Sequence, residues 1–353
     1  MTGTTDLDTP LPVTIIGGYL GSGKTTLVNA LLQQAQPDAA NAKAGLRVAV
    51  LVNDFGDIAI DASLIESADK NVMQLAGGCV CCTIGSDLVS TIVSLRETMT
   101  QIDHVLVETS GVALPGTVAA TIRIATGIQP NGVLVLADAL NLKRQRADNY
   151  IGDTIDRQLA AGDLIVLSKT DLLTTNDAQA QHRQLQLEWP SARVLTATQG
   201  KLPLQVILGL GPTTDQRSEQ QNEQTTEQTT EQTKNSNSRS QIRTFAPGKD
   251  HGSQYLSLSF HSDSSCNLEV LAELLSDPEN HIVRGKGFVR DAQGKAYVVQ
   301  SVSSQVDFRL LDELPENLLL VIIGLRQRLY ASGVADQLSA LGFTSDRKFS
   351  QAS

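Results

Sequence analysis

The chain has 353 residues, which is enough for one large and one small domain with an ordinary hydrophobic core. Its formal net charge of −10 argues against nucleic acid as a partner, because phosphate backbones are bound by basic surfaces. The most apolar run, Leu318 to Leu325, is too short to cross a bilayer, and the first residues lack a secretory signal pattern. We therefore expect no membrane partner.

From residue 13 to about 200, short apolar runs alternate with amphipathic patterns such as Thr25 to Gln34 and Asp87 to Met99. This alternation predicts an α/β fold with a mostly parallel sheet that is covered by helices on both faces. Such sheets bind ligands beyond the carboxyl ends of their strands. The predicted strands are Val13–Ile16, Val48–Val52, Val72–Leu75, Val105–Val107, Val133–Leu136 and Leu164–Leu167.

A glycine-rich stretch follows the first predicted strand and opens the first predicted helix. It matches the phosphate-binding pattern G-x-x-x-x-G-K-[ST] in the context that confirms the pattern. Glycines let backbone N–H groups close around phosphate oxygens, Lys24 reaches the β- and γ-phosphates, and the Thr25 hydroxyl binds Mg²⁺. A P-loop NTPase domain is therefore predicted. Its phosphate-binding residues are Gly18, Gly21, Ser22, Gly23, Lys24, Thr25 and Thr26.

The stretch that ends the strand Leu164–Leu167 predicts which base is bound. Ser168, Lys169 and Asp171 resemble the guanine-reading [NST]-K-x-D of GTPases. A carboxylate at the last position accepts hydrogen bonds from guanine N1–H and N2–H₂, whereas adenine presents an acceptor on that edge. We therefore expect GTP and GDP as ligands rather than ATP.

Glu108 ends another apolar strand and is followed by Thr109, Ser110 and Gly111. An acid in this place holds the Mg²⁺ shell or orients water, and the Gly111 N–H is placed to sense a γ-phosphate. These residues, with Lys24 of the phosphate loop, predict the hydrolysis of GTP. The catalytic residues of this hypothesis are Lys24, Thr25 and Glu108.

Three of the four cysteines lie within four residues, at Cys79, Cys81 and Cys82, before a helix that is predicted to begin near Ser86. Adjacent cysteines make strained disulfides, so we expect a reduced, cytoplasmic protein. A helix N-terminus favours thiolates, and three thiolates give Zn²⁺ or Cu⁺ an incomplete tetrahedral site that suits a metal to be handed on. A thiol redox switch and a set of buried, inert cysteines are the alternatives.

Two aspartates follow the strand Val48–Val52, at Asp54 and Asp57. In P-loop GTPases this region carries a nucleotide-sensitive switch, where either carboxylate could complete the metal shell or bind Mg²⁺ through water. A polar loop in which Asn and Asp form turns explains the same residues equally well.

The second half of the chain predicts a separate, smaller domain. Residues 214–240 carry no apolar side chain, which indicates a flexible linker, and strand and helix patterns return after it. Arg284-Gly285-Lys286-Gly287 is interpreted as a basic turn for partner contact or as a solvated hairpin. The predicted division is a tail over 1–11, a GTPase domain over 12–211, the linker over 212–250, an α+β domain over 251–346 and a tail over 347–353.

Six stretches together resemble the CobW-type metal-chaperone GTPases, which are relatives of the HypB and UreG proteins. The stretches are GGYLGSGKTT, NDFGDIAID, GGCVCC, ETSGVALP, QLAAGDLIVLSKTDL and HIVRGKGFV. The resemblance covers about residues 12 to 345, and C-x-C-C inside a P-loop domain is its most specific part. The chain departs from the family at Leu114, where relatives carry an acid, and in a linker without the histidines that many relatives have.

The resemblance implies a GTPase that binds Zn²⁺ through Cys79, Cys81 and Cys82 and passes it to a client metalloprotein as GTP·Mg²⁺ is hydrolysed. One alternative keeps the chaperone role but assigns Co²⁺ or iron, since Co²⁺ accepts the same tetrahedral thiolates. Another is a regulatory GTPase whose thiols sense zinc or redox state and donate nothing.

Overall fold

The computed structural model describes residues 10–36, 46–52, 74–76, 86–98, 102–197, 200–209, 255–311, 315 and 318–345. These residues form two sheets, a parallel one in the first half of the chain and an antiparallel one in the second. The predicted linker, the predicted C-terminal tail and residues 1–9 lie outside the described residues, as do Asp54, Asp57 and the three clustered cysteines, whereas Leu11, the last residue of the predicted N-terminal tail, is the first residue of β1.

The first sheet has seven strands in the order β3-β2-β4-β1-β5-β6-β7 among the residues described, and every neighbouring pair is parallel. Its inner strands β2, β4 and β6 are buried at every position, as expected for a sheet that is covered on both faces. The predicted α/β architecture is confirmed. The strands are β1 Leu11–Gly18, β2 Val48–Val52, β3 Gln74–Ala76, β4 His104–Glu108, β5 Ile128–Asp138, β6 Leu164–Ser168 and β7 Arg193–Ala197.

Helices pack on the two faces of this sheet around two hydrophobic clusters. One cluster joins α1 and α7 to the sheet, and the other joins α2, α3 and α5. The helices are α1 Lys24–Ala35, α2 Ser86–Thr98, α3 Pro115–Arg123, α4 Leu142–Arg146, α5 Gly152–Ala160, α6 Thr175–Glu188 and α7 Leu204–Leu208. Among the described residues, no helix is long and apolar enough to cross a membrane.

The second sheet is antiparallel, with the described strands in the order β11-β10-β9-β12-β8-β13. Its helices α8 Leu268–Ser276, α9 Arg326–Ala331 and α10 Val334–Ala340 share a third core cluster with one face of the sheet. The strands are β8 Tyr255–Ser262, β9 Ile282–Arg290, β10 Ala296–Val302, β11 Gln305–Leu310, β12 Leu318–Leu325 and β13 Thr344–Ser345.

Arg284-Gly285-Lys286-Gly287 is neither a basic turn nor a solvated hairpin, because these residues lie inside β9, which pairs with β10, and Arg284, Gly285 and Gly287 are buried. Arg284 is 1% exposed and donates to three backbone carbonyls of the first domain. The acceptors are Val206 O at 2.6 Å, Asn131 O at 2.5 Å and Ile207 O at 2.5 Å. Burial lowers the pKa of this guanidinium to about 10, which leaves it charged at neutral pH.

Further hydrogen bonds join the two sheets at the amino ends of the parallel strands. Arg193, the first residue of β7, donates to Ile282 O at 3.1 Å and to Asp277 O at 3.0 Å. The Ser303 hydroxyl donates to Ser191 O at 2.8 Å. The second domain therefore docks at the end of the parallel sheet opposite to the end where such sheets bind ligands.

Candidate functional site

The phosphate loop lies between β1 and α1, as its pattern predicts. Gly18, Gly21 and Gly23 have φ values of 134°, 73° and 96°, which are left-handed conformations that favour glycine. A Cβ on Gly18 would also lie 2.4 Å from the carbonyl oxygen of Leu136 in β5. The loop is therefore a tight turn whose course depends on glycine, and its backbone N–H groups precede the start of α1.

Lys24 and Thr25 begin α1. The Lys24 Nζ donates to Gly18 O at 3.0 Å and lies 3.5 Å from Tyr19 O, so the loop itself holds the ammonium group. Within the loop Ser22 is buried, whereas Thr26 is exposed on the first turn of the helix. The Lys24 charge is thus kept at the carboxyl end of β1, where a bound phosphate chain would lie.

Glu108 is the last residue of β4 and is 2% exposed. The Thr25 hydroxyl donates to its Oε1 at 2.9 Å, although 83 residues separate the two in sequence. A hydroxyl and a carboxylate are hard oxygen donors of the kind that Mg²⁺ prefers, so the pair fits Mg²⁺. When bound with GTP, Mg²⁺ would neutralise developing phosphate charge.

The segment after β4 packs against the phosphate loop. The Thr109 N–H donates to Ile16 O of β1 at 2.9 Å, which fixes the start of the segment. A Cβ on Gly111 would lie 2.8 Å from the Leu20 nitrogen and 2.5 Å from its Cδ2. Gly111 therefore lies directly against the loop, which is the position expected of a residue that senses a phosphate.

The predicted guanine-reading residues follow β6 beside the phosphate loop. The Ser168 hydroxyl lies 2.7 Å from Ser22 O, so the two segments are in direct contact. Lys169 has a φ of 58°, an uncommon left-handed conformation for a residue other than glycine. Asp171 lies in the 3₁₀ turn Thr170–Leu172 and is exposed, which leaves its carboxylate accessible to a base.

Asp138 is a site residue that the sequence reasoning missed. It ends β5 in register with Ser168, is 3% exposed, and its Oδ2 accepts from Lys169 Nζ at 2.7 Å. Burial alone would raise its pKa, but hydrogen bonds from Lys169, Asn141 and the Leu140 N–H outweigh burial and hold the pKa below its usual value. The ionised carboxylate therefore holds the Lys169 ammonium group. Its place at the end of an apolar strand, like that of Glu108, was the available signal.

The cysteine motif and the two aspartates of the predicted switch lie outside the described residues, but the elements on either side of the motif are described. Strand β3 ends at Ala76, and α2 begins at Ser86, as predicted. Ala76 pairs with Val52, which pairs in turn with Glu108. Two strand spacings place the backbone that enters the motif about 10 Å from Glu108.

Cys266 is the one cysteine within the described residues. It is 6% exposed, and burial raises the pKa of its thiol to about 11, so it is an inert core residue. No group of three or more His, Cys, Asp or Glu side chains that could hold a metal occurs in the part of the chain that the structure describes.

Comparison with known proteins assigns both domains. A family model described as the CobW/HypB/UreG nucleotide-binding domain matches residues 12–195, which is more than half of the chain. The chain belongs to this family. A second model, the cobalamin synthesis protein cobW C-terminal domain, matches residues 255–341. The resemblance seen in the sequence motifs is thereby confirmed, and the chain is a P-loop GTPase with the C-terminal domain of the CobW branch.

Three curated relatives give the scale of the similarity. The zinc chaperone CobW of a Sinorhizobium species is 26% identical over 328 residues, which are 84% of this chain and 86% of that protein. The zinc chaperone CobW of Pseudomonas aeruginosa is 31% identical over 57% of this chain and 60% of that protein. The zinc chaperone YjiA of Escherichia coli K12 is 29% identical over 56% of this chain and 61% of that protein.

Proposed function

We propose that the chain is a GTP-driven zinc chaperone. Cys79, Cys81 and Cys82 hold Zn²⁺ as cargo, and hydrolysis of GTP accompanies its transfer to a client metalloprotein in a reducing compartment. The observation that carries the proposal is C-x-C-C inside the P-loop domain of a chain whose relatives in Sinorhizobium, Pseudomonas and Escherichia coli are named zinc chaperones.

The order of the strands supports a link between nucleotide and metal. The backbone that enters the cysteine motif follows β3, and β3 is separated from Glu108 only by the last residue of β2. A displacement of β4 or of the segment after it on loss of the γ-phosphate would therefore move the carboxyl end of β2 and, through β2, the end of β3 that leads into the cysteine motif. A coupling free energy of about 1–3 kcal/mol is sufficient to give release a direction.

In the proposed reaction, the chain's own residues position and neutralise the phosphates. Lys24 places a cation over the phosphate loop, and Thr25 and Glu108 supply the oxygen donors for Mg²⁺. Lys24 and Thr25 follow β1, Glu108 ends β4 and Ser168 ends β6, so all of them lie at the same edge of the sheet. A nucleotide bound at this edge would contact them together. The cysteine motif, which lies between β3 and α2 in the sequence, would bind the metal and present it to the client.

The first prediction is that zinc affinity depends on the nucleotide. We expect the affinity for Zn²⁺ to fall at least tenfold, about 1.4 kcal/mol, when a non-hydrolysable GTP analogue is replaced by GDP. Anaerobic competition with a chromophoric chelator measures this ratio, and Co²⁺ in the same assay tests the cobalt alternative. Equal zinc affinities in the two nucleotide states would show that GTP does not drive release and would leave the thiols as a sensing or redox site.

Two cysteine variants make the zinc assay specific. Cys81→Ser should weaken zinc binding at least a hundredfold. Mutation of residues that only hydrogen-bond to metal ligands typically lowers metal affinity 10–100-fold, and Cys81 is proposed as a ligand itself. Cys266→Ala is the matched control and should leave zinc affinity unchanged, because that thiol is buried and its pKa is raised to about 11. A zinc affinity that falls equally in both variants would contradict the assignment of the metal to C-x-C-C.

The second prediction concerns the base. Asp171→Asn is expected to weaken GDP binding at least tenfold and to improve binding of xanthosine diphosphate, because an amide N–H can donate to the xanthine C2 carbonyl. Fluorescence titration with both nucleotides measures the change. Asp153→Asn alters an exposed carboxylate on α5 and should leave both affinities unchanged. Unaltered base preference in Asp171→Asn would assign guanine recognition to other residues.

A further inference from the structure

Gln158 is a buried amide that holds the segment after β4. It lies on α5, is 1% exposed, and its Nε2 donates to Gly111 O at 3.0 Å and to Ala113 O at 2.8 Å. The two carbonyls are 47 and 45 residues away in sequence, so the contact is tertiary and is not part of helix formation. One side chain thus fixes two peptide groups of the same segment.

The orientation of those peptide groups gives Gln158 a consequence for the nucleotide site. In a trans peptide the C=O and the following N–H point in opposite directions. Because Gly111 O points at Gln158, the Val112 N–H points away from α5. Gly111 itself is in contact with the phosphate loop through Leu20, and Val112 is 43% exposed. The segment is therefore held between α5 on one side and the phosphate loop on the other.

We propose that Gln158 is a positioning residue through which the GTPase distinguishes GTP from GDP. By holding the carbonyls of Gly111 and Ala113, it fixes the two peptide groups that carry the Val112 and Leu114 N–H and keeps the segment in the conformation that accepts a γ-phosphate. GDP has no γ-phosphate, so its affinity does not depend on this orientation. The proposal rests on GTP binding at the phosphate loop and on the predicted sensing role of Gly111, and it is independent of zinc.

A role in packing alone makes a different prediction. A buried amide that only fills space is replaceable by an apolar side chain of the same length, and any loss of stability affects both nucleotides equally. A positioning role instead changes the selectivity between GTP and GDP and the turnover number. Gln158→Met separates the two roles, because methionine keeps the length of the side chain and removes its N–H donors.

The experiment compares wild type and Gln158→Met in affinity for GDP, affinity for a non-hydrolysable GTP analogue, and kcat and KM for GTP. We expect the dissociation constant of the analogue to rise about tenfold, as two modest hydrogen bonds are lost, while that of GDP stays within twofold. The kcat should fall by a similar factor. Thermal unfolding checks that the variant is folded. An unchanged ratio of the two affinities would overturn the proposal.

A second measurement uses the wild type alone and does not depend on the folding of a variant. We expect the amide hydrogens of Gly111 and Val112 to exchange at least tenfold more slowly with the GTP analogue than with GDP, whereas that of Ala113, which already donates to Ser110 O at 3.1 Å, should change less. Equal exchange rates in the two states would overturn the proposal, even if the chain hydrolyses GTP. Failure of nucleotide-dependent zinc release would count against the zinc chaperone and leave this result unaffected.

Discussion

The Lys24→Ala variant is expected to lose at least a hundredfold of the kcat/KM for GTP. The Lys24 Nζ is held by Gly18 O at 3.0 Å and lies 3.5 Å from Tyr19 O, so its charge has a fixed position over the phosphate loop. Removal of one preorganised group that stabilises charge in the transition state typically costs 10²–10³ in rate, about 2.7–4 kcal/mol. The rate of phosphate release, measured over a range of GTP concentrations up to saturation, gives kcat and kcat/KM for both proteins.

Lys295→Ala is the matched control for this experiment. Lys295 is exposed in the turn between β9 and β10 of the second domain, and its removal should change neither kcat nor KM. Thermal unfolding of both variants separates an effect on the chemical step from an effect on folding. A Lys24→Ala variant that is folded and keeps its rate within about fivefold would contradict the assignment of Lys24 to the phosphates.

The nucleotide-binding residues could be predicted from the sequence because they lie in short contiguous motifs, each at the end of a predicted strand. The phosphate loop is a single run of residues, and Glu108 and Ser168 end apolar strands that lie parallel. Parallel strands bring their carboxyl ends to one edge, so the 83-residue separation of Thr25 and Glu108 was no obstacle. The motifs and the topology together specified which residues meet.

The residues that were missed or misinterpreted act through tertiary contacts without a local pattern. Gln158 in Asp-Arg-Gln-Leu is a polar residue on a helix, and its burial depends on the course of a segment 45 residues earlier. Arg284 lies between Ile282-Val283 and Gly285 in a glycine-rich stretch that is typical of a turn, yet it is buried against the first domain. Hydrophobic periodicity does not predict that Gln158 or Arg284 is buried, because it identifies the apolar face of a helix or strand but not the segment that packs against it.

The contacts of Gln158 and of Arg284 lie at opposite ends of the parallel sheet, which separates the nucleotide site from the domain boundary. The groups expected to bind GTP lie at the carboxyl ends of the parallel strands, whereas the second domain is held at the amino ends of β5, β6 and β7, through Asn131, Asp163 and Arg193. The nucleotide can therefore change the segments around Gly111 without breaking the domain contact. Arg284 makes three hydrogen bonds across this boundary and Arg193 makes two, so we expect Arg284 to contribute strongly to the attachment of the second domain.

We expect Arg284→Met to cost about 3–5 kcal/mol of the free energy of unfolding, because three hydrogen bonds from a charged donor, each worth about 1.5–3 kcal/mol, are lost while the cost of burying the guanidinium is recovered in part. Three carbonyl oxygens, Val206 O, Asn131 O and Ile207 O, lose a charged donor in a buried place, and methionine offers none in return. Calorimetry should resolve two transitions in place of one, as the domains separate before the parallel sheet unfolds.

Arg309→Met provides the comparison for Arg284→Met, because Arg309 is an exposed arginine on β11 of the same sheet and its removal should cost less than about 0.5 kcal/mol. GDP affinity, measured on both variants below their first transition, should remain that of wild type, since the nucleotide groups lie at the other end of the strands. A single transition with the wild-type midpoint in Arg284→Met would mean that the apolar contacts of Val302, Ile323 and Tyr255 with the first domain hold the domains together without the arginine.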